Sequence, residues 1–236
     1  MSLGKRLISL EAAAVPTAID SGKSGEFNGT NAYVGLSNTA FHYTTISVTA
    51  WVKPDNVSSY HTILNNYESG GSPTNSGFFF RVNNDGTVSF IGYESSATGT
   101  ITTTTAISAN IWSNVAAVIT PSTWKIYING VDGGGSGTAI SIEYNSTTPC
   151  AIGRADYTGG ASNYFDGGID DLRVYNDALT ASEVAAIAQN NTGSIPSGNL
   201  QAYYKFDNDV TDEQSNFDGV NYNVTFADDP AKVNDA

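Results

Sequence analysis

The chain has 236 residues, 40% of them hydrophobic, which is enough for one sizeable core and typical of a β sandwich forming a single domain. Its formal net charge is −13, and the ten Lys and Arg are scattered, with only Lys5-Arg6 adjacent; this excludes the basic stripe that nucleic acid or an anionic membrane would need. No stretch approaches a membrane span, and Cys150 is alone, which excludes an intramolecular disulfide.

Residues 1–26 lack a strand pattern. Their small apolar run Ala12-Ala13-Ala14-Val15-Pro16 reads as an N-terminal arm suited to attachment. The run Leu7-Ile8-Ser9-Leu10 stops at Glu11, too short for the core of a secretion signal, so synthesis and retention in the cytoplasm is the expectation. Period-2 alternation then takes over. Ile46, Val48, Ala50 and Val52 share one face of a strand that stops at Pro54-Asp55. Gly77–Val82 and Thr87–Ile91 flank Asn83-Asn84-Asp85-Gly86, a hairpin signal because Gly accepts positive φ. Trp112–Ile119 leads through Thr120-Pro121-Ser122 into Thr123–Ile128, a second hairpin closed by Asn129-Gly130. Cys150, between Pro149 and Ala151-Ile152-Gly153, reads as a small buried hydrophobe in a strand. Gly168–Tyr175 supplies a later strand.

Thr180-Ala181-Ser182-Glu183 is a capping box, and Val184, Ala185, Ile187 and Ala188 follow at helical spacing. These residues predict one short helix over 181–189. Gly193–Gly198 is a linker or crossing loop. Leu200–Phe206 and Gly219–Phe226 are the last strands. Phe27–Val34 and Phe217–Val224 look alike locally, which we read as shared strand–turn chemistry and not as a repeat.

Four phrases in order resemble the laminin-G-like, concanavalin-A-like jelly-roll family. They are Phe27-Asn28-Gly29 with Tyr33-Val34; Ile46–Pro54 as its "SxxxWVKP" strand; Ile111–Ala116 through Lys125–Gly130 as its "W-x-x-V-A…Y-V-N-G" hairpin; and Phe165–Asn176 through Val184 as its "FxGxIDDVRIYNxALSxxEI" ending. The resemblance implies an all-β, two-sheet antiparallel jelly-roll sandwich. The family's "AYYxFDxxxxDxSxNxxxG" strand, which normally precedes the first phrase, is here matched at the other end by Ala202–Asp207, Asp212, Ser215, Asn216 and Gly219. Circular permutation, donation to a neighbouring subunit and a truncated second copy are the alternatives; we favour permutation, because a truncated copy leaves an unpaired edge. The expected organisation is an arm over 1–26, one domain over 27–228 with displaced strands from 199–228, and a tail over 229–236. Met1–Ile8 also resembles the start of structural proteins from tailed bacteriophages of marine bacteria.

No E-x-D-x-x-E spacing of glycosidase carboxylates occurs. Asp170 and Asp171 should alternate to opposite faces of a strand. His42 and His61 stand apart from any Ser or Cys motif and are expected as exposed strand or loop residues. No nucleophile elbow, P-loop, dinucleotide fingerprint or zinc spacing appears, so the expectation is a non-enzyme.

Ca²⁺ takes roughly six to eight oxygen ligands. The family often carries a structural calcium, and the resemblance places Asp166, Asp170 and Asp171 beside the loop of Asp207, Asp209, Asp212 and Asn216, with Asn28 as a contributor. Asn28, Asp166, Asp170, Asp171, Asp207 and Asp212 are thus the candidate calcium set; the alternative is a solvated acidic loop. Tyr60, Tyr67, Tyr93, Tyr157 and Tyr164 are candidate glycan-stacking residues near the loops 69–72, 133–135 and 157–160.

Three readings follow. The first is a virion surface protein (capsid decoration, fibre or tail-associated), bound through its arm to other virion proteins or to its own copies and touching host glycans. It would be assembled in the host cytoplasm. The second is an extracellular carbohydrate-binding adhesion module, and the third a glycoside hydrolase on the same fold.

Overall fold

The computed structural model describes residues 22–69, 75–95, 97–144, 150–157 and 160–228. The chain opens with β1 (Lys23–Asn28), β2 (Tyr33–Gly35) and β3 (Ile46–Pro54). Then come β4 (His61–Asn65), β5 (Glu68–Ser69), β6 (Asn75–Val82), β7 (Thr87–Glu94) and β8 (Ala97–Ala106). The middle of the chain forms β9 (Ser113–Ile119), β10 (Trp124–Ile128), β11 (Val131–Asp132) and β12 (Ser136–Thr138). β13 (Ala151–Ile152), β14 (Ala155–Tyr157), β15 (Gly160–Ser162) and β16 (Asp166–Tyr175) lead to the helix α1 (Ala181–Ala188). β17 (Leu200–Tyr204), β18 (Val220–Tyr222) and β19 (Thr225–Asp228) follow it.

Two antiparallel sheets form the expected sandwich. One runs β11-β10-β9-β3-β16-β1-β19 with β17 also on β16; the other runs β12-β8-β7-β6-β4-β13-β2-β18 with β5 on β6. The expected alternation is present in β3, where Ile46, Val48, Ala50 and Val52 all lie in the core. Full burial of the Ile and Val side chains contributes about 1.5–3 kcal/mol each. The other face of β3 is buried as well, which alternation alone does not reveal. Ser47 Oγ donates to Asp177 O (2.7 Å) and accepts from Leu179 N–H (3.0 Å), so the segment leading into α1 covers it.

The local signals resolve as expected. β6 and β7 pair around the 83–86 turn, with Gly86 at φ +80°. β10 turns into β11 through Asn129 (φ 52°) and Gly130 (φ 79°), the two positive values that a type I′ hairpin requires. Thr180 Oγ1 accepts from Glu183 N–H (3.3 Å) while Glu183 Oε2 accepts from Thr180 N–H (2.8 Å). Val184 and Ile187 of α1 then join Leu179, Ala116, Val118, Tyr127 and Tyr175 in a second apolar cluster. Cys150 is buried next to β13. No helix among the described residues is long and apolar enough to cross a membrane.

Two sequence expectations change. The first strand begins at Lys23, so residues 23–26, assigned to the arm, lie in the sheet; residues 1–21 and the 229–236 tail lie outside the described residues. The second change concerns Asp170 and Asp171. β16 pairs with β1 along Asp166–Ile169 and with β17 along Leu172–Tyr175, and a bulge falls where the partner changes. Asp171 sits there at φ 48°. Ile169, Leu172 and Val174 all enter the core, so the alternation slips by one at Asp171. Asp171 then reaches Tyr203 and Arg173 on the outer face, the side that Asp170 shares with its register partner Trp51. The two carboxylates do not point to opposite faces.

Candidate functional site

β2 lies between β13 and β18. Tyr33 is opposite Tyr222, and Gly35 is opposite both Val220 and Ala151. Val34 points into the core, so Tyr33, Gly35, Val220 and Tyr222 share the outer face. The rings of Tyr33 and Tyr222 stack with centroids 4.3 Å apart and planes 5° apart. The Arg154 guanidinium carbon lies 3.7 Å from the Tyr33 centroid. At those distances Arg154 and Tyr222 would overlap on one ring face, so they occupy opposite faces of Tyr33. Tyr222 ends the row at the sheet edge, where it is 43% exposed.

A cleft of about 320 Å³ opens here, lined in part by Tyr33, Gly35, Ser37, Arg154, Asp218 and Tyr222. Gly35 helps form it, because a Cβ at this position would lie 3.0 Å from Cε2 of Tyr222. The opposite charge to Arg154 comes from Asp218, which the preceding loop holds in place. Asp212 is buried, with Oδ1 accepting from Tyr203 N–H (2.7 Å) and Gln214 N–H (3.0 Å). Its Oδ2 accepts from Asn216 and Phe217 N–H, both at 3.0 Å. Asp212 N–H in turn donates to Asp218 Oδ1 (3.1 Å). Asp218 itself is exposed.

The six calcium candidates do not converge. Asn28 Oδ1 accepts from the N–H groups of Thr30 (3.1 Å), Asn31 (3.0 Å) and Ala32 (3.0 Å), a turn-forming role. Asp166 Oδ2 accepts from Asn56 Nδ2 (3.1 Å), and Asp207 Oδ1 from Lys23 N–H (3.0 Å). Asp170 Oδ1 accepts from Asp171 N–H (2.7 Å), Asp171 Oδ1 accepts from the Tyr203 hydroxyl (2.5 Å), and Asp212 is held as above. Among the described residues no three His, Cys, Asp or Glu are grouped to hold a metal ion. Asn28, Asp171 and Asp212 direct their oxygens at protein donors, so this set does not fit a calcium ion.

The tyrosine candidates separate. Tyr67 is buried against Phe79 (4.4 Å) and Tyr93 (4.5 Å) and donates to Asn75 Oδ1 (2.8 Å), so Tyr67 and Tyr93 form a packing cluster. Tyr60, 38% exposed, carries the Arg81 guanidinium 4.2 Å from its ring centre. Tyr164 is half-buried, 6.5 Å from Tyr33, and borders the stack. Tyr157 belongs to β14, and its side chain lies outside the described residues. Gly133–Gly135 is bound along β8, where Gly133 O accepts from Thr104 N–H (2.9 Å). Tyr33, Tyr222, Arg154 and Asp218 were not among the candidates. The likeness of Phe27–Val34 to Phe217–Val224 was the available signal, since those segments supply the paired β2 and β18.

His61 corrects another expectation, because it is fully buried. Asp166 N–H donates to its Nδ1 (3.2 Å), so in the neutral ring the proton sits on Nε2. Nε2 lies 3.3 Å from Ser59 Oγ, whose hydroxyl donates to Asn56 Oδ1 (3.2 Å). His61 therefore donates to Ser59, the reverse of a general base. Burial lowers its pKa, against the raising effects of Asp166, the Asn56 backbone and Asp55. His42 is half-buried and stacks on Tyr144 (4.7 Å).

No curated protein matches the chain. Among solved structures, a candidate carbohydrate-binding protein from Bacteroides ovatus superposes with a TM-score of 0.69 at 19% identity, over 90% of this chain and 62% of that one. The chain thus spans less than two thirds of that protein. A heptameric SAP-like pentraxin from Limulus polyphemus gives 0.56 at 20% identity, over 90% and 94%. The CBM40 of a Ruminococcus gnavus IT-sialidase, solved with α2,3-sialyllactose, gives 0.57 at 14% identity, over 72% and 100%. At these identities the likeness establishes a common fold. Residues 28–185, well over half of the chain and including the phrases from Asn28 to Val184, match a laminin-G-type family model. The chain belongs to the concanavalin A-like lectin/glucanases superfamily.

Proposed function

We propose that the chain is a non-catalytic carbohydrate-binding module whose ligand sits in the cleft of Tyr33, Tyr222 and Asp218. The observation that carries this reading is the stacked tyrosine pair at the sheet edge, with Tyr222 43% exposed beside a carboxylate in one cleft. Sugar C–H faces pack on such rings while carboxylates accept their hydroxyls. The Bacteroides carbohydrate-binding candidate and the sialyllactose-bound Ruminococcus CBM40, which share the fold, agree with it. A glycan array followed by NMR titration of the wild type and Tyr222→Ala tests the reading: sugar-induced shifts are expected at residues 33–37 and 218–222 and should disappear in the variant. A blank array, with no shift at millimolar sugar, overturns it.

We read β17 as the family strand that normally comes first. Its pairing with β16 and the end of the family match at residue 185 support this. The resemblance of Met1–Ile8 to tailed-phage structural proteins supports placing the module on a virion, held through residues 1–21 to other virion proteins or to its own copies. Those residues lie outside the described ones. Mass spectrometry of purified particles tests this, and absence of the chain removes it.

A further inference from the structure

We infer that Arg81 and Tyr60, on the outer face of the second sheet, form a site for one carboxylate group of a small ligand. Neither residue lines the Tyr33–Tyr222 cleft, so this site is separate from the one proposed above. Phe78, Phe80 and Val82 of β6 enter the core, which leaves Arg81 on the outer face. Thr62 of β4 and Ser89 of β7 flank it in register on that face. The guanidinium is fixed on two sides. Its Nε donates to Asn83 Oδ1 (3.1 Å), and its central carbon lies 4.2 Å from the Tyr60 ring centre. Asn83 is buried, and its Nδ2 donates to Thr87 Oγ1 (2.9 Å) and Ser89 Oγ (2.6 Å), which turns its oxygen toward Arg81. Tyr60 is anchored through its neighbours. Asn56 Oδ1 accepts from Ser58 N–H (3.2 Å) and Ser59 Oγ (3.2 Å), and His61 Nδ1 accepts from Asp166 N–H (3.2 Å). A site ordered before its ligand arrives binds at lower entropic cost.

What these contacts leave unused defines the chemistry. The partners of Arg81 are uncharged, and no carboxylate among the described residues pairs with it. Asp85, in the following turn, has its Oδ1 taken by the Thr87 N–H (2.9 Å) and hydroxyl (2.6 Å). The terminal amino groups of Arg81 therefore keep their N–H donors, on a half-buried side chain. Beside it Thr62 is fully buried, and its Oγ1 has no hydrogen-bond partner among the described residues. An unpaired guanidinium and an unpaired hydroxyl on one face call for an acceptor that carries negative charge. The paired N–H edge of a guanidinium matches the two oxygens of a carboxylate. One cation balances one carboxylate. A phosphate dianion would meet the repulsion of a chain with net charge −13 without a second cation to offset it. From Arg81 the row continues through Ser89 and Thr102 to Ser136 on the edge strand, with strands about 4.8 Å apart. A ligand with hydroxyls next to its carboxylate, such as a hydroxy acid or an acidic sugar, would extend along that row.

The test is a ¹H–¹⁵N NMR titration of the full chain, at matched ionic strength, with sodium acetate, glucuronic acid, inorganic phosphate and methyl β-glucoside. Acetate and glucuronate are expected to shift the amides of residues 60, 81, 83 and 89 and the Arg81 Nε–H signal, saturating in roughly the millimolar range. Methyl β-glucoside should leave those signals in place. A tighter midpoint for glucuronate marks an acidic sugar as the carrier, and equal midpoints mark the bare carboxylate; either supports the site. In about 1 M NaCl, where the Debye length is roughly 3 Å, binding should weaken several-fold. Arg81→Lys keeps the charge but lacks the paired edge, and should bind about tenfold more weakly. Tyr222→Ala should bind these acids as the wild type does, so this site and the sugar cleft are read separately. Absence of a saturable shift with both carboxylates overturns the proposal, as does unchanged affinity in Arg81→Lys. Tighter binding of phosphate than of either acid overturns the choice of carboxylate.

Discussion

The backbone N–H of Asp212 donates to Oδ1 of Asp218 at 3.1 Å, which links a carboxylate at the centre of a loop to the carboxylate on the rim of the cleft. Asp212 is an internal cap: four backbone N–H groups from Tyr203 to Phe217 end on its two oxygens. Removing it leaves three donors of the 212–217 turn and one of β17 without their partner. Unmet buried donors cost about 1–3 kcal/mol each, and partial access to water reduces the sum. Asp212→Ala is therefore expected to lower unfolding stability by about 3 kcal/mol in urea titrations. A loss below about 0.5 kcal/mol, the level of an ordinary surface change, contradicts the assignment.

The same commitment of oxygens sets an expectation for calcium. Asn28 and the candidate carboxylates accept from protein donors, and among the described residues no three carboxylates are grouped to hold a metal ion. Melting temperatures measured in EDTA and in millimolar CaCl₂ should coincide. A clear rise with calcium would show that a metal binds the native state.

Tyr222→Ala separates function from stability. The tyrosine pair contributes about 0.5–1.5 kcal/mol beyond area burial, and Tyr222 lies on an edge strand, so the variant should lose about 1 kcal/mol or less. Sugar binding should fall below detection while circular dichroism stays native. Retained binding places the ligand elsewhere.

Acid should weaken the fold through the histidines. Burial lowers the pKa of both His61 and His42 from 6.5. Below that value the unfolded chain takes up protons that the folded rings resist, so the unfolded state is favoured. The stability contributed by the neutral rings is complete above about pH 6.5 and is lost as pH falls through the lower folded values. The urea midpoint should drop from about pH 7.5 to pH 5, and His61→Gln should flatten the slope. An unchanged slope in that variant rules His61 out as a source.

What the sequence revealed was what is local. The β3 alternation, the 83–86 and 129–130 turns and the Thr180–Glu183 box each depend on residues a few positions apart, and each formed where expected. The bulge at Asp171 did not show, because it is set by β16 exchanging β1 for β17, a pairing between distant segments. The stack of Tyr33 on Tyr222 was hidden for the same reason. Loop position suggested Tyr67 and Tyr93 as binding residues; in the fold they pack together with Phe79 outside the main core, Tyr67 buried and Tyr93 half-buried, again through contacts between distant segments.

The stack of Tyr33 on Tyr222 joins the early strand β2 to the late strand β18, which has three residues and an open side. Such a strand is among the first to fray. A sugar resting on Tyr222 and held by Asp218 would engage only molecules in which β18 is zipped onto β2. Occupancy thus works as a clasp, and the slowing of amide exchange at 220–222 becomes a measure of ligand affinity read from the protein's own breathing.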